Sequence, residues 1–303
     1  MSGYPFWILD VFTDTALAGN QLAVFRDAAA IPEARLQPLA REMGFSETVF
    51  VFAPQGDETA RVRIFTPENE IPFAGHPVLG TAVALAITHG LDRVDLLTPQ
   101  GRVPLWITNR TRWSAFGRMQ QPLPTVAPLS DPAALLAALR IHASEMPIEV
   151  YDNGLPNVYV ALPDEESVTA LDPDFGALTT FARGAGMPTV GINCFAGSGR
   201  QWKTRMFAPA DGVPEDPATG SAAGPLACHL ARHGRIGFGD EIAITQGVEI
   251  GRPSTLYATA HGSPGVVTRI EVAGAAVLVA SGSFDLASDT VHIPGPPDLP
   301  AAE

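Results

Sequence analysis

The chain repeats itself once, and that duplication constrains the fold more than any other feature. Arg63-Ile-Phe-Thr-Pro-Glu-Asn-Glu-Ile-Pro-Phe-Ala-Gly-His-Pro-Val-Leu-Gly-Thr-Ala has a diverged copy at Arg205-Met-Phe-Ala-Pro-Ala-Asp-Gly-Val-Pro-Glu-Asp-Pro-Ala-Thr-Gly-Ser-Ala-Ala-Gly. Arg63, Phe65, Pro67 and Pro72 each have an identical counterpart 142 residues on, and Gly75-His76 aligns with Gly220-Ser221 once a short insertion is allowed. A run of small and apolar residues follows each glycine, and both runs close on His-Gly, at His89-Gly90 and His233-Gly234. Each copy reads as strand, proline-bounded loop, then one helix. From His76 to Ile87 that helix is apolar or small all round, so it must be enclosed on every side, and a sheet has to wrap it.

Two such units predict an α+β fold of two pseudo-repeated lobes, each a central helix in a curved mixed sheet. A length of 303 residues accommodates two ordinary domains. The stretch from Pro104 to Pro128, dense in proline toward its end, reads as the linker, which puts the lobes at residues 1–125 and 126–303. Residues 290–303 read as a flexible, proline-rich tail. Lobes packed loop to loop would set two helix N-termini on one cleft, an arrangement suited to a carboxylate or phosphate. Pro225 restricts the second central helix, because proline is tolerated in a first turn, so regular helix is expected from Ala222–Gly224 with Gly220-Ser221 as an approach loop.

With 32 acidic against 19 basic residues and no basic cluster, neither nucleic acid nor an anionic membrane is an expected partner. The N-terminus lacks the features of a signal peptide and no apolar run reaches the length of a membrane span, so a cytoplasmic location is expected. Cys194 and Cys228 form no CxxC and read as buried small hydrophobes, and no metal site is expected.

Three polar residues sit where the two-lobe arrangement points: His76 at the first helix start, and Asp216 and Ser221 before the second. A fourth, Glu47, stands between a helix end and the apolar strand Val49-Phe-Val-Phe. A carboxyl wedged there would be desolvated and its pKa raised toward that of a general acid/base. Each has a plainer alternative. Ser46-Glu47-Thr48 could simply cap a helix and start a strand at the surface; His76-Pro77 could be an N-cap with proline at the first helical position, or His76 a core histidine; Asp216-Pro217 could form a turn; and Gly75, Gly220 and Ser221 could serve tight packing.

Blocks through nearly the whole chain resemble the PhzF family of the diaminopimelate-epimerase-like superfamily: Asp10-Val-Phe, Gly19-Asn20, Arg41-Glu-Met, Ser46-Glu-Thr-Val-Phe-Val, Arg63-Ile-Phe-Thr-Pro, Leu79-Gly-Thr-Ala, Asn193-Cys-Phe-Ala-Gly, Glu215-Asp-Pro-Ala-Thr-Gly-Ser-Ala-Ala-Gly and Gln246-Gly-Val-Glu-Ile-Gly-Arg-Pro-Ser. The resemblance implies a homodimer that needs neither metal nor organic cofactor and acts on a small-molecule carboxylate. It places the proton-transfer carboxyl at Glu47, His76 and Asp216 beside it in the catalytic set, and Gly75, Gly220, Ser221 and Asn20 in substrate binding. The implied reaction is isomerisation of trans-2,3-dihydro-3-hydroxyanthranilate by proton transfer from C3 to C1. An isomerase or epimerase of another small cyclic amino or hydroxy acid is the alternative, and a non-catalytic binder of the same fold the third. Racemases and epimerases of the superfamily carry a cysteine at each helix start; here those places hold His76 and Ser221, which argues against two-thiol chemistry.

Overall fold

The computed structural model describes residues 3–187 and 189–285, so the expected tail at 290–303 lies outside the described residues. The first half runs β1 (Tyr4–Val11), β2 (Asn20–Phe25), α1 (Glu33–Met43), β3 (Glu47–Phe52), β4 (Ala60–Phe65), β5 (Glu70–Ile71), α2 (Gly75–His89), β6 (Arg93–Thr98), β7 (Gly101–Thr108) and β8 (Ser114–Gln121). The second runs β9 (Thr125–Pro128), α3 (Pro132–Leu139), β10 (Glu149–Asp152), β11 (Pro156–Ala161), α4 (Glu165–Thr169), α5 (Phe175–Gly184), β12 (Gly191–Ser198), β13 (Gln201–Ala208), β14 (Val213–Asp216), α6 (Gly220–Arg232), β15 (Glu241–Gln246), β16 (Ser254–Ser263) and β17 (Val266–Phe284).

The duplication read from one motif extends to the strand pairing. β2 and β3 are parallel, as are β11 and β12. β3 pairs antiparallel with β4 as β12 does with β13, and β4 pairs parallel with β6 as β13 does with β15. In both halves the central helix leaves a short strand, β5 or β14, paired antiparallel to the strand before it. The halves are also sewn together, because β17 pairs with β16 along its first part, with β8 through its middle and with β1 through its second part.

The α2 helix is buried from Gly75 to Ala86, as its uncharged, small-residue sequence requires. One continuous apolar cluster takes in both central helices, with Leu79 and Val83 of α2 and Leu226 and Leu230 of α6 among its members. The outer faces of the paired parallel strands are covered separately. Leu36, Leu39 and Ala40 of α1 pack with Phe25 and Phe50, while Leu135, Leu139, Leu178 and Phe181 from α3 and α5 pack with Val158, Val160 and Ile192. That double coverage explains the near-unbroken apolar runs of β2, β3, β11 and β12.

Three expectations need correction. Most of 104–128 is strand rather than linker: β8 alternates buried and half-buried residues, but the inward ones include Ala115 and Gly117, too small to register as an apolar period. His76 is not an N-cap, since Ala74 holds that place and His76 lies within the first turn of α2. The α6 helix begins at Gly220 and carries Pro225 inside it. Proline offers no N–H to the carbonyl four residues back, that of Ser221. Asn153 Nδ2 donates to this carbonyl instead, at 3.0 Å.

Candidate active site

Glu47, His76, Asp216, Gly75, Gly220 and Ser221, distant in sequence, all line one cleft between the two repeats. Glu47 arrives at its mouth because α1 stops at Gly44, whose φ of 65° gives a left-handed cap, and β3 starts at once beside β2. Its Oε2 lies 3.5 Å from Nε2 of His76, and both atoms are buried with no hydrogen-bond partner.

Asp216, at the end of β14, is 5% exposed and tied on every side. It accepts from Thr219 Oγ1 at 2.6 Å, from Asn20 Nδ2 at 2.9 Å and from Ser46 Oγ at 3.2 Å. Asn20 also donates to the Ala218 carbonyl at 2.9 Å and lies 3.2 Å from Nδ1 of His76. It sits 1% exposed behind the cleft wall, where it bridges His76 to Asp216; it does not line the cleft.

The two central helices meet start to start. A Cβ added to Gly75 would stand 2.5 Å from the Ser221 nitrogen, and one added to Gly220 would stand 3.0 Å from the Gly75 carbonyl carbon. Only glycine permits that approach. Neither N-cap residue, Ala74 or Thr219, caps its helix with a side chain. The first-turn N–H groups and the positive ends of both helix dipoles therefore converge on one place, the physical requirement for holding an anion without a cationic side chain.

Electrostatics agree with that division of labour. Glu47, Asp211 and Asp216 line the cleft, and no lysine or arginine does so among the described residues. Burial raises the Glu47 carboxyl well above its ordinary range, with the charges of Asp216 and Asp211 adding to the effect. Burial also lifts Asp216 to about 6 against the opposing hydrogen bonds of Thr219, Asn20 and Ser46. Burial lowers His76 to about 3, so near neutrality its imidazole is uncharged. The site thus holds, beside a neutral imidazole, a carboxyl whose raised pKa suits it both to take and to return a proton.

A family model described as phenazine biosynthesis-like protein matches residues 9–282. The chain belongs to the PhzF family. It is 50% identical over 279 residues to trans-2,3-dihydro-3-hydroxyanthranilate isomerase of Pseudomonas aeruginosa, an alignment covering 92% of this chain and 98% of that protein. The fold matches that of a PhzF-family phenazine biosynthesis protein of Bacillus anthracis, with a TM-score of 0.82 at 23% identity over 94% of this chain and all of the other. It also matches, with a TM-score of 0.64 at 13% identity over 94% and 91% of the two chains, that of a hydroxyproline epimerase of Agrobacterium vitis. The architecture of this PhzF-family chain is therefore the diaminopimelate-epimerase-like fold.

Sequence reasoning passed over several cleft residues. Asp211 is one, although the repeat sets it opposite Asn69, a visible clue that a polar side chain falls there. A second oversight is the spacing of His229 and His233, four apart, the first on α6 and the second at its C-cap. With Glu149 they bring potential metal-ligand atoms within 4.8 Å of one another, away from the cleft. The Arg232 guanidinium stands 3.6 Å from the same carboxylate and donates to Tyr151, which in turn donates to Glu149, so the cluster already contains its countercharge.

Proposed function

We propose that this protein is a cofactor-independent isomerase of trans-2,3-dihydro-3-hydroxyanthranilate, moving a proton from C3 to C1 of the ring through Glu47. The observation that carries the reading is the Glu47 carboxyl, raised in pKa by burial and 3.5 Å from a neutral imidazole, in a cleft whose anion-holding groups are backbone N–H donors. The 50% identity to a protein of that activity supports the choice of substrate.

In the proposed step the substrate carboxylate rests at the facing starts of α2 and α6, which orients the ring over Glu47. The carboxylate of Glu47 takes the C3 proton, electrons shift through the diene, and the same proton is delivered to C1. The resulting enol at C3 becomes a ketone. One proton leaves and one returns, so no external acid or base is consumed. His76 and Asp216 hold the hydroxyl and amino groups during the shift.

The asymmetry of the duplication supports a single-base mechanism. Ile64 and Met206 are equivalent in the repeat; Val49 pairs with the first and Asn193 with the second. Two residues before Val49 stands Glu47, and two before Asn193 stands Gly191, which also lines the cleft. The second repeat therefore has no side chain where the first has its carboxyl, and the helix starts bear His76 and Ser221 rather than thiols.

The test is turnover of trans-2,3-dihydro-3-hydroxyanthranilate in D₂O by the wild type and by Glu47→Gln, with loss of substrate read by absorbance and product by mass spectrometry. Wild-type turnover with a loss of at least a thousandfold in the variant is expected. No wild-type turnover would move the substrate to another cyclic amino acid, and an active Glu47→Gln would remove the glutamate from the mechanism.

A further inference from the structure

The first three carbonyls of α6 each accept a hydrogen bond from a buried side chain of another element. Gln121 at the end of β8 donates to Gly220 at 2.8 Å, Asn153 after β10 donates to Ser221 at 3.0 Å, and Tyr159 of β11 donates to Ala222 at 2.7 Å. All three side chains are at most 3% exposed. The amide oxygens of Gln121 and Asn153 have no partner, so each of these side chains is held in the interior for one donation alone. A buried carbonyl oxygen left unpaired gives up its hydration with nothing in return. Two such costs against one turn of helix are not what stability would select, and that turn carries Gly220 and Ser221, which line the cleft.

We infer that Asn153 and Gln121 are positioning residues for substrate carboxylate binding, an inference that rests on the proposed function for the identity of the ligand. The Gly220 carbonyl shares a peptide plane with the Ser221 N–H, and the Ser221 carbonyl shares one with the Ala222 N–H. A donor fixed behind each carbonyl sets the plane of its peptide: behind Gly220 it polarises the Ser221 N–H, and behind Ser221 it holds the peptide whose N–H donates to the Thr219 carbonyl at 3.0 Å, so that Ser221 is fixed from both sides. Pro225 makes Asn153 necessary, because the ring removes the only backbone N–H that helical geometry would bring to Ser221. The proline bends no rule at a cost to the site; it transfers control of one peptide from the helix to a side chain of the loop after β10.

This arrangement supplies its own internal rescue. Asn153→Ala removes the donor, and Pro225→Ala returns a helical N–H to the same carbonyl. The probes are anthranilate, a ring carboxylate that cannot undergo the isomerisation, and the uncharged anthranilamide, both titrated calorimetrically. Asn153→Ala is expected to weaken anthranilate about tenfold and leave anthranilamide unchanged, with affinity restored in Asn153→Ala/Pro225→Ala. Gln121→Met, which keeps the side-chain volume, is expected to repeat the selective loss without rescue by Pro225→Ala.

Equal weakening of both probes, absence of rescue in a double variant that melts as the wild type does, or a wild type that does not distinguish the two probes would each overturn the inference. Since neither probe reacts, selective anthranilate binding by a wild type that fails to isomerise trans-2,3-dihydro-3-hydroxyanthranilate would sink the proposed substrate and leave the positioning role standing.

Discussion

Glu47 is a residue whose chemistry conflicts with its surroundings, and the conflict has a pH signature. Its carboxyl is raised well above 4.5 because burial penalises the charged form and Asp216 and Asp211 repel it. A group whose folded pKa lies above the unfolded one contributes stability while it stays protonated and withdraws that contribution as pH rises past 4.5. Glutamine in its place carries no charge at any pH. Glu47→Gln is therefore expected to gain stability relative to wild type as pH rises from 5 to 8, read as an increasing difference in urea midpoint. A difference that is flat or shrinks with pH would mean the carboxyl is already ionised at low cost. The position of Glu47, between a glycine-capped helix and an apolar strand, was legible in the sequence. Its alignment with His76 was legible only through the family resemblance, since in the fold it needs Asn20, 3.2 Å from the imidazole, to be anchored by Asp216, 196 residues away in the second repeat.

At the scale of elements, the site is the place where α2 and α6 touch. Gly75→Ala would drive a methyl against the Ser221 nitrogen, 2.5 Å away, and overpacking of this kind costs roughly 1–3 kcal/mol. The larger effect is expected on catalysis, because helix starts moved by about 1 Å no longer orient a shared carboxylate, a displacement that costs on the order of a hundredfold in rate. Steady-state kinetics and denaturant melts on Gly75→Ala separate the two, and a variant with full kcat/KM would show that the close approach is packing alone. The two helices and their glycines could be read from the duplicated motif. The exact start of α6 could not, because a proline in a helix looks like a boundary until the replacement donor is known, and Asn153 sits in a loop with no pattern linking it to residue 221. The β8 strand escaped for a related reason: Ala115 and Gly117 are two of its four inward residues and Gln121 is a third, and hydrophobic periodicity is blind to alanine, glycine and glutamine.

The whole molecule is more unified than its duplication implies. One apolar cluster contains both central helices, and β17 belongs by its pairing to both repeats. Unfolding is accordingly expected to be a single transition: tryptophan fluorescence, weighted to Trp7, Trp106 and Trp113 of the first repeat, should coincide with circular dichroism of the full chain in urea. Separated curves would show that the repeats fold independently. The strand that unites them also gives the protein a mechanical character. Tyr4 is opposite Phe284 in an antiparallel pair, so tension applied at these two residues would load the β1–β17 seam one hydrogen bond after another, as a zipper is opened, instead of shearing all of them together. A molecule whose two repeats share one core would thus yield to a modest pull on β1 and β17.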